Sequence, residues 1–180
     1  MNQPAFNLDF SRTEVPAIAA ARSLAGDLAA NIPITRKHLS ETFTRLTGAT
    51  DADNRWSLSD THASVELAQL IYLQEARTLC PSSDQKLAFE VFDQIEALTP
   101  IQYNRSEEQI SFQQFSTPLR LAWTAARAAR LSSSNLTLEP SAGTGMLAFW
   151  ARHCGSGLAL NEIHVLRRDA LHVLFPDVAV

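Results

Sequence analysis

Apolar residues recur every three or four positions through most of the first hundred residues, and this spacing predicts four amphipathic helices. The polar stretch Ala49–Ser59 predicts a loop that carries Trp56. We expect these helices to form a helical subdomain over residues 1–110. The first helix is predicted over about 14–30, and the second from its cap Thr35 to Gly48. The third is predicted over 65–79, and the fourth from a capping box at Ser82 and Gln85 to the residue before Pro100.

The pattern changes beyond the fourth helix, where a segment without helical periodicity leads to another helix start. Thr117 followed by Pro118 favours a helix there, because threonine can cap a helix and proline is tolerated at its first position. The helix is predicted over 118–131, and we expect it to bury Leu121 and Trp123.

Strands and helices then alternate, which predicts a parallel sheet within a second region, residues 111–180. The expected fold class is therefore α-rich α/β. The strands are predicted at 135–139, which we expect to be buried, at 157–160 and at 178–180, with helices at 146–154 and 164–174.

The glycine loop after the first strand carries the strongest chemical signal. Gly143 and Gly145 permit a sharp turn and a close ligand approach, and the next helix points free N–H groups at the same place. With Ala148 the glycines fit the dinucleotide pattern G-x-G-x-x-G/A. Glu162 follows Gly143 by 19 residues, at the end of the second strand, where a carboxylate can accept hydrogen bonds from a ribose diol. The loop predicts a site for a nucleotide-sized ligand.

Charge and hydropathy limit the classes of function. The formal net charge of −4 argues against a strongly basic nucleic-acid module. Lys and Arg number 9 against 15 Asp and Glu in residues 1–110, and 6 against 4 in residues 111–180, so the acidic excess lies in the first region. No apolar run approaches the roughly 20 residues that a membrane-spanning helix needs. We expect a cytoplasmic protein without a membrane partner.

The cysteines and histidines show no metal-binding pattern. Cys80 and Cys154 lie far apart and are expected to be reduced thiols. The spacing of His153, Cys154 and His164 matches no zinc site, so we expect no metal.

Three segments, taken together, resemble the first three motifs of the S-adenosylmethionine-dependent adenine-N6 DNA methyltransferases, and they occur in the same order. An acidic residue and a proline just before the glycines are typical of a methyltransferase loop, whereas a dehydrogenase strand usually runs directly into its first glycine. The segments are Phe115-Ser116-Thr117-Pro118, Leu138 through Gly145, and Asn161-Glu162.

The helical first part has a narrower resemblance, to the amino-terminal region of bacterial strawberry notch-like proteins. Those proteins join a methyltransferase-like domain to a helicase. The resemblance lies in Ile34-Thr35-Arg36, Trp56 and the helix from Ala63 to Leu70.

The family resemblance implies S-adenosylmethionine as the cofactor and DNA as the partner of the intact parent protein. It implies a helical subdomain followed by the first strands and helices of a Rossmann-like methyltransferase fold. It further implies that Phe115, Ser116, Thr117 and Pro118 line the methionine end of the cofactor. Glu139, Pro140, Ser141, Ala142, Gly143, Thr144 and Gly145 would wrap its methionine and ribose, and Glu162 would hold the ribose hydroxyls.

The catalytic part of the family pattern is missing. Adenine methyltransferases carry an Asn/Asp-Pro-Pro-aromatic motif that binds the flipped base, and this sequence contains no Pro-Pro. Only 35 residues follow Gly145, too few for the usual seven-stranded sheet. We therefore expect a truncated amino-terminal fragment that has the cofactor-binding half, no catalytic residue and no activity alone.

Two other classes stay open at this point. The chain could be a helical interaction or dimerisation module with a remnant methyltransferase sequence, forming a homo-oligomer through an exposed sheet edge. It could also be a fragment of a nucleotide-binding oxidoreductase.

Overall fold

The chain is rich in helix and has two short strands in the computed structural model, which describes residues 15–76, 79, 84–101 and 116–180. This is the α-rich α/β class predicted from the sequence. A 3₁₀ turn at Asp51–Asp53 lies between the second and third helices. In chain order the elements are α1 (Pro16–Ala29), α2 (Arg36–Thr47), α3 (Leu58–Ala76), α4 (Gln85–Leu98), α5 (Leu119–Ala128), β1 (Leu136–Glu139), α6 (Met146–His153), β2 (Gly157–Leu160) and α7 (Val165–Leu174).

Polar side chains cap several of these helices. The Thr35 hydroxyl accepts a hydrogen bond from the His38 backbone N–H at 3.1 Å, and Gly48 ends α2 with a left-handed φ of 67°, which confirms both predicted ends. At α4 the capping side chain is Asp84, which accepts hydrogen bonds from two backbone N–H groups. The predicted capping box at Ser82 lies outside the described residues.

The third helix begins seven residues earlier than its apolar spacing predicts, at Leu58. Ser57 and Asp60 form a reciprocal cap there: the Ser57 N–H donates to the Asp60 carboxylate at 2.6 Å, and the Asp60 N–H donates to the Ser57 hydroxyl at 3.1 Å. Trp56, just before this cap, is buried and stacks on Phe43 with the ring centroids 5.4 Å apart. The predicted loop is therefore shorter and partly packed into the core.

Two predictions for α5 were wrong. Thr117 does not cap the helix, because Pro118 has an extended ψ of 147° and itself occupies the N-cap position. The buried side chains of the helix are Leu119, Ala122, Trp123 and Ala126, which repeat at three- and four-residue spacing. Leu121 lies on the opposite face and is 60% exposed, whereas Trp123 is buried as predicted.

The strands β1 and β2 form a parallel pair, joined by α6, in which Leu136 lies opposite Gly157 and Glu139 opposite Leu160. The prediction that β1 is buried was wrong, because Leu136 and Leu138 are 72% and 69% exposed. Alternation along a strand puts both leucines on one face, and no described residue covers that face. We call this the open sheet face.

The predicted third strand at 178–180 does not form. The Val178 N–H donates to the Phe175 carbonyl at 3.1 Å, which makes a turn after Pro176. Val178 and Val180 are partly buried against the core in an irregular segment.

Buried side chains from both regions of the chain belong to one hydrophobic core. Helix α3 lies along α1, with the Ser64 hydroxyl 3.0 Å from the Ala17 carbonyl oxygen. An aromatic cluster connects the helices farther along: the Phe92 ring on α4 is 6.3 Å from Trp123 on α5 and 5.8 Å from Trp150 on α6. None of the described helices is long and apolar enough to span a membrane.

We expect Phe92→Ala to lower the free energy of unfolding by about 3–5 kcal/mol, because it opens a cavity between three helices. Urea denaturation followed by circular dichroism measures the change. Leu87→Ala on the same helix is the matched control, since Leu87 is half exposed and its loss should cost less than about 0.5 kcal/mol. Equal effects of the two substitutions would contradict a core that depends on the aromatic cluster.

Candidate functional site

The loops that follow the two strands are joined by backbone hydrogen bonds. The Asn161 N–H donates to the Glu139 carbonyl at 3.0 Å, and the Ala142 N–H donates to the Asn161 carbonyl at 2.9 Å. The Asn161 side-chain amide also donates to the Pro140 carbonyl at 2.9 Å. These bonds hold the glycine loop beside the end of β2, the edge of a parallel sheet where ligands commonly bind.

Both glycines of the loop have a left-handed backbone, with φ of 59° at Gly143 and 98° at Gly145, as a sharp turn at these residues allows. Gly145 leaves little room for a side chain, because a methyl group there would lie 3.0 Å from the Leu171 side chain and 3.1 Å from the Phe175 side chain. At Gly143 the nearest atom to such a methyl group is the Nη1 of Arg167, at 3.6 Å. Gly145 therefore lets the loop pack on α7, while Gly143 lies at the ligand side.

Glu162 lies where the sequence predicted it, at the end of β2 and against the glycine loop. Its two carboxylate oxygens accept hydrogen bonds from the Gly143 N–H at 2.7 Å and from the His164 N–H at 2.8 Å. A carboxylate has about four acceptor positions, so each oxygen can accept a further hydrogen bond. Glu162 is thus held in place and can still bind a pair of hydroxyls.

Most of the predicted site residues line one cleft of about 500 Å³. This volume is within the usual range for small-molecule sites. Ser116 and Thr117, distant in sequence from the glycine loop, line it together with Glu162. Pro118 lines a neighbouring cavity instead, and Phe115 lies outside the described residues. Gly145 supports the loop from the α7 side. The other predicted residues that line the cleft are Glu139, Pro140, Ser141, Ala142, Gly143 and Thr144.

A buried carboxylate that the sequence patterns did not predict reaches the loop from the helical region. Glu66 on α3 is only 6% exposed, and its Oε2 accepts a hydrogen bond from the Thr144 hydroxyl at 2.9 Å. It also has a side-chain hydrogen bond with Ser116. Burial raises the pKa of Glu66, although these hydrogen bonds and the charge of Arg167 oppose that rise.

A weak signal for Glu66 does exist in the sequence. The residue lies between apolar and small residues on every side of the helix, in the run Ser64-Val65-Glu66-Leu67-Ala68. A helix that is apolar all round is buried, and a carboxylate in such a helix needs partners. Arg167 on α7, which also lines the cleft and is buried, was missed as well.

Known proteins give no independent indication of what this cleft binds. No protein-family model, curated protein or solved structure matches the chain. The methyltransferase resemblance therefore stays a prediction that depends on the residues themselves. Among the residues that the structure describes, no group of three or more His, Cys, Asp or Glu is arranged to hold a metal ion.

We expect Glu66 to contribute a fall in the free energy of unfolding as the pH rises, so the wild type should lose stability relative to Glu66→Gln over the same rise in pH. In the folded chain the Glu66 carboxyl keeps its proton at pH values above its ordinary pKa of 4.5, whereas in the unfolded chain it loses the proton around that pH. Stability is therefore lost between that value and the raised pKa of the folded state. Urea denaturation between about pH 4 and pH 8 gives the pH slopes, and the difference between the two proteins isolates Glu66 from other titrating groups.

Glu66→Ala is the companion variant. It leaves the Thr144 and Ser116 hydroxyls without their acceptor, so it should destabilise the chain at every pH in this range, by about 1–3 kcal/mol. Identical pH slopes in the wild type and in Glu66→Gln would contradict the buried position of this carboxylate.

Proposed function

We propose that the chain binds S-adenosylmethionine in this cleft, as the cofactor-binding part of an adenine-N6 DNA methyltransferase-like protein. The observation that carries the proposal is the Glu162 carboxylate, which is fixed 2.7 Å from the Gly143 N–H in the same cleft as Ser116 and Thr117. Three separate segments that resemble consecutive family motifs thus line one cleft.

Each segment would have its own part in binding. Glu162 would accept hydrogen bonds from both ribose hydroxyls, because each of its oxygens has acceptor capacity beyond the backbone bonds. The backbone of residues 139–145 would contact the ribose and the methionine chain, since Gly143 lets the ligand come close. Ser116 and Thr117 would offer hydroxyls at the methionine end.

The position of Glu162 also disfavours a dinucleotide, the ligand of the oxidoreductase alternative. In dinucleotide-binding folds the amides of the glycine loop and the helix start face a pyrophosphate. Here the Gly143 amide already donates to a carboxylate, and the negative charge of Glu162 would repel a phosphate at that amide. A neutral ribose meets no such repulsion.

The proposed contribution of this chain is binding rather than chemistry. The sulfonium of the bound cofactor is an activated methyl donor, so a methyltransferase mainly aligns donor and acceptor. The Asn/Asp-Pro-Pro-aromatic motif that would hold the adenine does not occur in these 180 residues. Methylation of DNA is accordingly proposed only for an intact parent protein.

Calorimetric titration of S-adenosylhomocysteine into the chain should show saturable binding. Glu162→Gln keeps the side-chain volume but removes the charge and one acceptor, so it should weaken binding about 10-fold or more. Glu41→Gln, on the exposed side of α2, is the matched control and should bind like the wild type. A cooperatively folded wild type that does not bind S-adenosylhomocysteine would contradict the proposed function.

The open sheet face favours a second candidate function, a helical interaction or dimerisation module. Besides Leu136 and Leu138, two apolar side chains near the end of β2, Ile163 and Val165, are 77% and 60% exposed. In the described part of the chain each strand also has a single neighbour, so both outer edges are unpaired. Apolar patches and unpaired edges of this kind are typical of association surfaces.

Size-exclusion chromatography with light scattering tests this candidate. A module that self-associates through the open sheet face should be a concentration-dependent dimer, and the double variant Leu136→Thr, Leu138→Thr should be a monomer because threonine keeps the strand but removes the apolar surface. Leu121→Thr changes another exposed leucine, on α5, and should leave the dimer intact. A wild type that is monomeric at every concentration would contradict self-association.

A further inference from the structure

A buried arginine that has no ion pair with a carboxylate among the described residues lies at the candidate cleft. Arg167, in the first turn of α7, is 5% exposed and lines the cleft, and its Nη1 would lie 3.6 Å from a methyl group at Gly143. Its Nε–H is buried and has no hydrogen-bond partner among the residues that the structure describes. Burying an unpaired cation and an unpaired donor costs free energy, so such a group calls for an explanation.

The carboxylates around Arg167 do not pair with it. No ion pair within 4.0 Å joins its guanidinium to a carboxylate in the described part of the chain. Glu66 is near enough for their charges to interact, but its oxygens accept hydrogen bonds from Thr144 and Ser116, and burial raises its pKa. Glu162 is engaged with two backbone N–H groups, and Glu139 lines the same cleft. The local charges therefore leave a cationic position open to a ligand.

We infer that Arg167 binds an anionic group of the ligand, and that this group is the carboxylate of the amino-acid end of S-adenosylmethionine. The inference rests on the proposed function for the identity of the ligand. A planar guanidinium with several N–H donors matches a carboxylate well, and such pairs are among the stronger hydrogen bonds in proteins.

The surroundings of Arg167 indicate which end of the cleft it serves. Its charge acts on Glu66, and Glu66 is hydrogen-bonded to Ser116, one of the residues that the family resemblance assigns to the methionine end. Glu162, assigned to the ribose, is instead bound to the backbone N–H of Gly143. Arg167 and Glu162 thus offer a cationic and an anionic group to the two ends of one zwitterionic nucleoside ligand.

A phosphate is the other anion that an arginine would bind, and a merely structural role is the remaining explanation. Three ligands separate these cases: S-adenosylhomocysteine has the carboxylate, 5′-methylthioadenosine shares its nucleoside and sulfur but lacks the amino-acid end, and NAD has the pyrophosphate. Calorimetry measures the affinity of each for the wild type, Arg167→Gln, Arg167→Lys and the control Arg168→Gln. Arg168 is the neighbouring arginine on α7 and does not line the cleft.

We expect Arg167→Gln to weaken S-adenosylhomocysteine binding about 10- to 100-fold while changing the affinity for 5′-methylthioadenosine less than about threefold. Arg167→Lys keeps the charge, so its affinity for S-adenosylhomocysteine should lie between those of the wild type and Arg167→Gln. Arg168→Gln should bind both ligands like the wild type. A variant that does not fold would lose affinity for both ligands, so the two ligands together distinguish a loss of folding from a loss of the carboxylate contact.

Three results would overturn the inference. Equal loss of both nucleosides in Arg167→Gln and Arg167→Lys would make Arg167 a structural residue and leave the proposed function intact. NAD binding that depends on Arg167 and exceeds that of S-adenosylhomocysteine would assign the position to a phosphate. No binding of S-adenosylhomocysteine or 5′-methylthioadenosine to the wild type would overturn the proposed function, and the inference with it.

Discussion

The removal of the Glu66 carboxylate from water costs free energy, and the hydroxyls of Thr144 and Ser116 offset part of that cost. These two hydroxyls come from the glycine loop and from the segment before α5, while the carboxylate comes from α3. One buried acceptor therefore ties together three parts of the chain that lie far apart in sequence. Ser116 and Thr144 both line the cleft, so their shared acceptor holds two parts of its lining in place.

The same arrangement explains why the site contains charges of both signs. Glu162 is held by two backbone N–H groups, which stabilise a carboxylate without using an arginine or lysine. Arg167 is left as a buried cation beside Gly143. A ligand with hydroxyls at one end and a carboxylate at the other matches both groups, whereas a pyrophosphate beside Glu162 does not.

Local patterns predicted what depends on local chemistry. The bounds of β2, the end of α2 at Gly48 and the position of Glu162 just after β2 all follow from spacing and residue type. The features that the sequence did not predict depend on tertiary contacts. The exposure of Leu138 depends on what covers the sheet, and the contact of Glu66 with Thr144 joins residues 78 positions apart, a pairing that periodicity cannot detect.

Hydrogen exchange followed by mass spectrometry, with and without S-adenosylhomocysteine, tests the central claim most directly, because it shows both whether the ligand binds and where. We expect saturating ligand to slow exchange in residues 139–147 and 160–166 and, through Glu66, in the middle of α3, while α2 stays unchanged. Unchanged exchange in the two loops at saturating ligand would contradict a cofactor site in this cleft.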